Sequence, residues 1–495
     1  MYEIEGGMCM SAQMIGFSFL IIGVFLLLGK LIRFNTKWLR RLFLPSSIIG
    51  GFLALLVGPQ VLGRLSSTVL NEGSFFYNGL IPEFILDAWS SLPGMFINIV
   101  FAALFLGQTV PSVKKIWDNA GPQIVMGHTV SFGQYAIGTL LTYFILTPVF
   151  GTNPLAAGLI EIAFVGGHGT AAGLGPTFNE LGFPEGADLA LGLATIGILV
   201  GVIVGIVIIN VAHRRGIAKY VKSKKEMTKD EKEQISDTYG YEMEQEVKEP
   251  KAIEPLAFHL SLVGVAILIG YGIQQGLIFI EASTWGEWTD VYLLSYIPLF
   301  PLAMVGGMIV QKVFEKQGIE NYIDPNLVNK ISGFALDVLL VSALATLSLD
   351  VIGENIIPFV LIALTGAAWT TFAFLYLGPK MLPDHWFERG LGDYGQQTGM
   401  AATGLLLMKV ADPDQQTPAL EGFGYKQILF EPFVGGGLVT SASLPLIYEF
   451  GPLVFLAITG SITIIFLVLG LKYFNPKGAK GRENTQTFQA RKRND

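Results

Sequence analysis

Two short stretches place glycines and polar side chains where the surrounding chain is built for hydrocarbon. The first, FVGGHGTAAG at 164–173, holds Gly166, Gly167, His168, Gly169 and Thr170. The second, GDYGQQTGMAATG at 392–404, holds Gly395, Gln396, Gln397, Thr398 and Thr403. Glycine lets backbone approach a ligand closely and adopt positive φ. A helix broken at such a point leaves N–H groups at one half-helix start and carbonyls at the other half-helix end. The first kind can hold a substrate carboxylate and the second a sodium ion. His168 and Thr170 would add hydrogen bonds. Gln396, Gln397, Thr398 and Thr403 offer neutral oxygens and amide donors, suited to sodium and to an amino-acid backbone. Close helix packing explains most of the 59 glycines, as small residues do in any membrane bundle. It explains a matched pair of broken segments less well.

Other polar residues interrupt apolar runs. Asp337 sits inside ALDVLLVSAL, and an ionisable group at such a position marks a functional site by default. As a carboxylate it could ligate sodium or an ammonium group, with Asn98 as its counterpart in the first half of the chain. Thr195, Thr403 and Glu431 complete the sodium-ligand candidates. Glu161 and Glu431 lie at the margins of broken helices, where either could face solvent. Gln134, in GQYAIG, is a candidate substrate ligand or interhelical glue. His128 reads as a packing residue.

These residues must be positioned by membrane helices. Of 495 residues, 51% are hydrophobic and only 14% charged, against roughly a quarter charged in soluble domains. Apolar runs such as 14–29, 196–212 and 453–471 approach the ~20 residues that span a bilayer. The segment before the first run is acidic and no small-residue cleavage site follows, so the run reads as a membrane helix rather than a signal peptide. Eleven spans are expected, at 14–31, 43–62, 93–110, 122–147, 188–212, 256–279, 291–312, 330–349, 355–378, 428–447 and 452–471. Segments at about 155–176 and 390–408 are too broken for full spans. Cys9 is the single cysteine, which excludes an intrachain disulfide.

Lysine and arginine placement sets the orientation. Lys30, Arg33, Lys37, Arg40 and Arg41 follow the first span, so that loop is expected in the cytoplasm and the tail 1–13 outside. Lys114 and Lys115, the run HRRGIAKYVKSKK and the basic tail 473–495 fall on the same side if 155–176 re-enters from outside and 390–408 from inside. Residues 213–254, with ten basic and ten acidic side chains, read as a charged cytoplasmic linker.

The linker divides two similar halves, 14–212 and 255–449, followed by an extra helix at 450–472. LPSSIIGG and FPLAMVGG share P-x-x-x-x-G-G, Asn98 corresponds to Asp337, and GGHG corresponds to GDYG. With five spans and one re-entrant hairpin each, the halves must be inverted. The expected fold is an all-α polytopic membrane protein with two inverted five-helix repeats. Interrupted segments in paired inverted repeats point to the binding site of a secondary transporter. An ion channel would also use paired pore loops, though inverted halves suit alternating access better. GLGD at 390–393 with PAL at 418–420 resembles an intramembrane aspartyl protease, whose mechanism needs two facing aspartates. Here Asp393 is expected at a polar mouth and PAL in a hydrophilic loop. No Walker A motif is present, which argues against ATP-driven transport.

GGHGTAAGLGPTF followed by ALGLATIGILVGVIVG resembles the bacterial sodium–glutamate symporter family. That family has the same G-G-H-G-T element, then A-T-x-G-x-x-x-G, here Ala194, Thr195, Gly197 and Gly201. Gln134 and LDVLLVSALATLSL are similar too, and the likeness covers roughly 14–450. The resemblance implies sodium-coupled glutamate uptake in a bacterial plasma membrane, with sodium as coupling ion, no cofactor, no enzymatic activity, and a homodimer. The chain departs from the family at GQQTGMAAT, where G-A-T-P-T is typical, and at Glu161, where a small residue is expected. Another amino acid or a dicarboxylate, with sodium or protons, is the alternative cargo.

Overall fold

The computed structural model describes residues 12–37, 39, 44–71, 74, 76–108, 111–221 and 255–475. Most of the expected tail (1–11 of 1–13), most of the linker (222–254) and the end of the basic tail (476–495) lie outside the described residues. The described chain is helical, without strands, as a lipid environment requires when every backbone polar group must be satisfied internally.

The first half comprises α1 (Ala12–Asn35), α2 (Ser46–Val57, running on to Ser67), α3 (Glu83–Ala103) and α4 (Val113–Leu141, running on to Phe150). Short helices α5 (Leu159–Phe164), α6 (Gly167–Gly173) and α7 (Gly175–Glu180) follow, then α8 (Gly186–Arg214). The second half has α9 (Pro255–Glu281), α10 (Leu299–Gln317), α11 (Pro325–Ala345), the short α12 (Leu349–Glu354) and α13 (Ile356–Phe372, running on to Met381). It ends with α14 (Trp386–Thr398), α15 (Ala401–Ala411), α16 (Ala419–Phe430) and α17 (Leu438–Tyr473).

Nine helices among the described residues are long and apolar enough to cross a membrane, not eleven. α10 falls short because Lys312, Glu315 and Lys316 crowd its end. The last two expected spans are joined in α17 across Gly451, whose φ of 76° and ψ of 165° break the helix internally. Beyond that break Phe455 meets Tyr135, Phe466 meets Phe132, and Phe474 meets Trp117, so the chain runs back along α4 toward its start. The span expected at 428–447 is itself interrupted, because Gly435 and Gly436 take positive φ and the helix restarts only at Leu438. The third span begins at Glu83, ten residues before the expected 93.

Without a hydrophobic driving force between helices in lipid, close packing holds them together. The two P-x-x-x-x-G-G motifs show how. A Cβ on Gly50 would stand 2.6 Å from the Phe25 carbonyl of α1, and one on Gly306 2.0 Å from the Ala266 carbonyl of α9. The second glycines face the other half: Gly51 lies against Leu340 and Leu344 of α11, Gly307 against Ala102 of α3. A methyl at any of these four positions would push two helices apart. α4 and α13 also share a device, a five-residue π-helical turn followed by a four-residue helix with proline near its start.

The helices sort into two packing groups. α9 packs on α10, α10 on α3, and α11 on both α2 and α3, with α1 on α2. The other group has α16 and α17 on α4, α5 and α6 on α8, and α14 on α15 and α8. α6 bridges them, touching α3 and α11.

Candidate binding site at the hairpin tips

α4 serves as a ruler for depth. At the start of α14, Arg389 donates to Gln123 Oε1 at 2.7 Å and to the Asn119 carbonyl at 3.3 Å. Eight residues on, Gln397 donates to the Gly127 carbonyl at 3.1 Å and accepts from Ser131 Oγ at 3.0 Å. Its backbone carbonyl accepts from Gln134 Nε2 at 2.8 Å. α14 therefore climbs α4 from Asn119 to Gln134, and α15 returns, with Gly395 pressed on Gly404 and Gly392 on Met408.

The other hairpin arrives from the opposite end of α4. Thr152 donates its backbone N–H to the Leu146 carbonyl at 3.3 Å, and Ala157 lies against Gly138. One turn deeper, Glu161 accepts a hydrogen bond from the Tyr135 hydroxyl. The segment closes on itself where Asn153 Nδ2 donates to the Gly182 carbonyl at 3.1 Å.

The two tips meet near Gln134. Gly167 turns with φ +69°, and a Cβ there would lie 3.0 Å from the Gly399 carbonyl oxygen. Gly197 and Gly201 of α8 make room for Thr398, whose carbonyl and hydroxyl oxygens stand 2.2 and 2.4 Å from where their Cβ atoms would be. The A-T-x-G-x-x-x-G spacing thus puts two glycines one turn apart on the face that receives the second tip. A third unwound stretch, 431–437, joins them. Gly435 N–H and Thr440 Oγ1 both donate to Glu161 Oε1 at 2.9 Å, and Gly436 abuts Thr170 Oγ1.

Four polar atoms here are buried without a hydrogen-bond partner: Thr170 Oγ1, His168 Nδ1, Gln134 Oε1 and Thr403 Oγ1. Buried polar atoms are nearly always paired, so this concentration makes the tips the candidate place for a ligand that would supply partners. His168 Nε2 lies 2.9 Å from Thr195 Oγ1, which itself donates to the Leu191 carbonyl at 3.2 Å. The ring therefore donates through Nε2, and its Nδ1 is an acceptor suited to an ammonium group. Among the described residues no group of three or more His, Cys, Asp or Glu could hold a metal ion. The oxygens at the tips are hydroxyls, an amide and carbonyls, all hard neutral ligands.

The remaining sequence candidates fall elsewhere or are already engaged. Gly169 faces Ile97 and Leu336 of the other packing group. Asn98 donates to the Gly94 carbonyl of its own helix at 2.9 Å, and Asp337 lies beside Ser47 and within reach of the Lys30 charge. Glu431 accepts from Gln427 Nε2 at 2.9 Å. Gln396 Oε1 accepts from Lys426 Nζ at 2.6 Å. Two sequence expectations need correction. Glu161 does not reach solvent: it is 0% exposed, because α4 and loop 431–437 close over it. Asp393 is not at a polar mouth but 2% exposed, and its carboxylate faces Lys426 rather than a second aspartate as a protease dyad would require.

Lys426 escaped the sequence reading altogether. Its signal was a lone lysine in FGYKQILF, just before the expected start of span ten. The run of three glycines at 435–437 was the overlooked mark of a third break.

The family model described as sodium/glutamate symporter matches residues 76–378, more than half of the chain. The match takes in the first hairpin and stops short of the second. No curated protein matches.

Proposed function

The chain belongs to the sodium/glutamate symporter family and performs sodium-coupled glutamate uptake; on that premise we propose that its two hairpin tips and loop 431–437 enclose substrate and ion. The observation that carries this reading is the meeting of the tips around four unpartnered polar atoms. His168 Nδ1 and Gln134 Oε1 accept from the substrate ammonium. Gly166, Gly167 and Gly395 allow backbone to reach it. Thr170 and Thr403 hydroxyls, with the Thr398 and Gly399 carbonyls, supply oxygens for sodium. Gln396, Gln397 and Thr195 act by holding the tips and His168 in place.

Transport proceeds by alternating access. In support, every one of these residues belongs to one packing group, and α6 meets the other group through apolar Ile97 and Leu336 beside Gly169 and Gly173. Such a contact can slide without breaking hydrogen bonds. Thr170, His168, Thr398 and Thr403 are all at most 1% exposed, so the site is closed at both ends here. Sodium and glutamate favour the same closed state, and each therefore tightens the other. The lysine and arginine pattern supports an external amino terminus and a cytoplasmic carboxyl terminus. A homodimer in the bacterial plasma membrane is part of the proposal, carried only by the sequence resemblance.

The test is uptake of labelled glutamate into proteoliposomes with an inward sodium gradient, an inward proton gradient, or choline alone. Sodium-driven accumulation, competed by unlabelled glutamate more strongly than by dicarboxylates, is the expected result. Equal uptake in sodium and choline would contradict it.

A further inference from the structure

One buried ion pair takes no part in the tip site. Lys426 Nζ lies 2.7 Å from Asp393 Oδ1 and 2.6 Å from Gln396 Oε1, with the Phe430 ring 4.2 Å from it. Lys426 is 0% exposed, Asp393 2% and Gln396 3%. Asp393 and Gln396 stand one turn apart on α14, just below the break at Gly399. Arg389, a turn further from the tip, is engaged with Gln123 and Asp384, and Glu431 lies beyond on the α16 side.

We infer that Asp393 Oδ1 and Gln396 Oε1 form a monovalent-cation site that the chain fills with its own Lys426 ammonium, where a sodium ion would otherwise bind. The space for that ammonium is built in. Gly127 of α4 faces the lysine stem, and a Cβ there would stand 2.7 Å from Lys426 Cε. An ammonium and a sodium ion carry the same charge and both take oxygen ligands. The ammonium also lies over the Phe430 ring, 4.2 Å from its centroid, and the ring face can receive a further proton. Asp393 Oδ2 is buried without a partner, a spare oxygen for a cation bound in place of the lysine. A pair serving stability alone has no need to be charged, since apolar residues of similar volume commonly hold a core as well. Beside a sodium-coupled site the lysine of such a pair is instead a fixed cation, and by neutralising Asp393 it lowers the number of sodium ions that the carboxylate would otherwise draw in. The inference rests on sodium coupling, and not on the assignment of the tips.

The test compares the purified full chain with Lys426→Met and with the double variant Asp393→Asn/Lys426→Met. Thermal unfolding is followed without glutamate, in sodium chloride and in choline chloride. A ligand that binds only the folded state raises Tm with its concentration. Lys426→Met should therefore gain a sodium-specific rise in Tm beyond that of the parent, and the double variant should lack the gain. In proteoliposomes the sodium Hill coefficient of Lys426→Met should increase, since it is bounded by the number of coupled sites. Overturning results are a Lys426→Met whose Tm answers sodium as the parent does, or one that folds no better in sodium than in choline. The same gain in the double variant, or an active Lys426→Met with the parent's Hill coefficient, would overturn it equally. Failure of glutamate to bind at the tips would leave these unfolding results unchanged.

Discussion

The two hairpins share a topology but reach the middle of the protein by different means. The first is bent at the positive φ of Gly167, and two polar side-chain atoms at its tip are left unengaged. Thr170 Oγ1 and His168 Nδ1 have no protein partner. The second breaks at Gly399, with φ −152° and ψ −70°, followed by the extended Met400, with φ −174° and ψ 168°. Its side chains are engaged with the protein: Gln397 at both ends of its amide, Gln396 on Lys426, Arg389 on Gln123 and Asp384. On the proposed reading the first tip contacts the ligand through its side chains, and the second is held in place while its backbone and the Thr403 hydroxyl do so.

Substitutions can break or sharpen that contrast. The largest effect is expected at Gly197, the seat of the second tip. In Gly197→Ala the new methyl would stand 2.2 Å from a backbone oxygen that cannot yield, and uptake should fall to background at matched protein level. Next comes Glu161→Ala, which strips partners from Gly435 N–H, Thr440 Oγ1 and Tyr135 OH together. Each buried group left unsatisfied costs about 1–3 kcal/mol, so the unfolding midpoint should drop sharply, whereas Glu161→Gln should keep part of the stability.

A matched pair then tests the contrast itself. Thr170→Val removes an oxygen with no protein partner, so it should raise the half-saturating sodium or glutamate concentration by about tenfold, a loss of ~1.4 kcal/mol, with Tm unchanged. Gln397→Met should do the reverse, lowering Tm with a smaller change in apparent affinity. If the two phenotypes were exchanged, the division of labour between the tips would be wrong. Asp337→Asn probes the other packing group: unaltered sodium dependence would remove that residue from the ion site.

The smallest effect is expected far from both tips. Arg64 donates to Asp350 Oδ1 at 2.6 Å across an exposed surface, where ion pairs contribute little. Arg64 holds the Asp350 carboxyl below its usual range, chiefly by hydrogen bonding. A depressed carboxylate stabilises at pH values above its unfolded range and loses that contribution as pH falls through its folded value. Arg64→Ala should therefore leave uptake and neutral-pH Tm nearly unchanged. Any difference in Tm should disappear in acid.

What could be read from the sequence followed physical scale. Apolar runs of membrane length marked nearly every long helix, and glycine clusters marked both hairpins, because these are local properties. The glycine-rich seat at Gly197 and Gly201 was marked only through the family resemblance. Partners distant in the chain were not. Asp393 looked solvated because the lysine that neutralises it lies 33 residues on, in a helix split from its continuation by Gly435–Gly437. Glu161 looked marginal because its three donors come from α4, from loop 431–437 and from the start of α17. α10 resisted hydropathy in the opposite sense: its charged end makes it too polar by composition, yet Gly306 and Gly307 seat it firmly against α9 and α3.

The most direct test of the tip site is sodium-driven glutamate uptake by Gly167→Ala set against Gly272→Ala. The first places a methyl at a positive-φ turn, 3.0 Å from the Gly399 carbonyl, and the second places one on α9 where nothing lies within 4 Å. At equal protein in the liposomes, Gly167→Ala should lose at least nine-tenths of uptake, on the order of 1.4 kcal/mol or more, while Gly272→Ala keeps the parent's rate. Equal, full uptake by both variants would contradict the assignment of the meeting tips as the site.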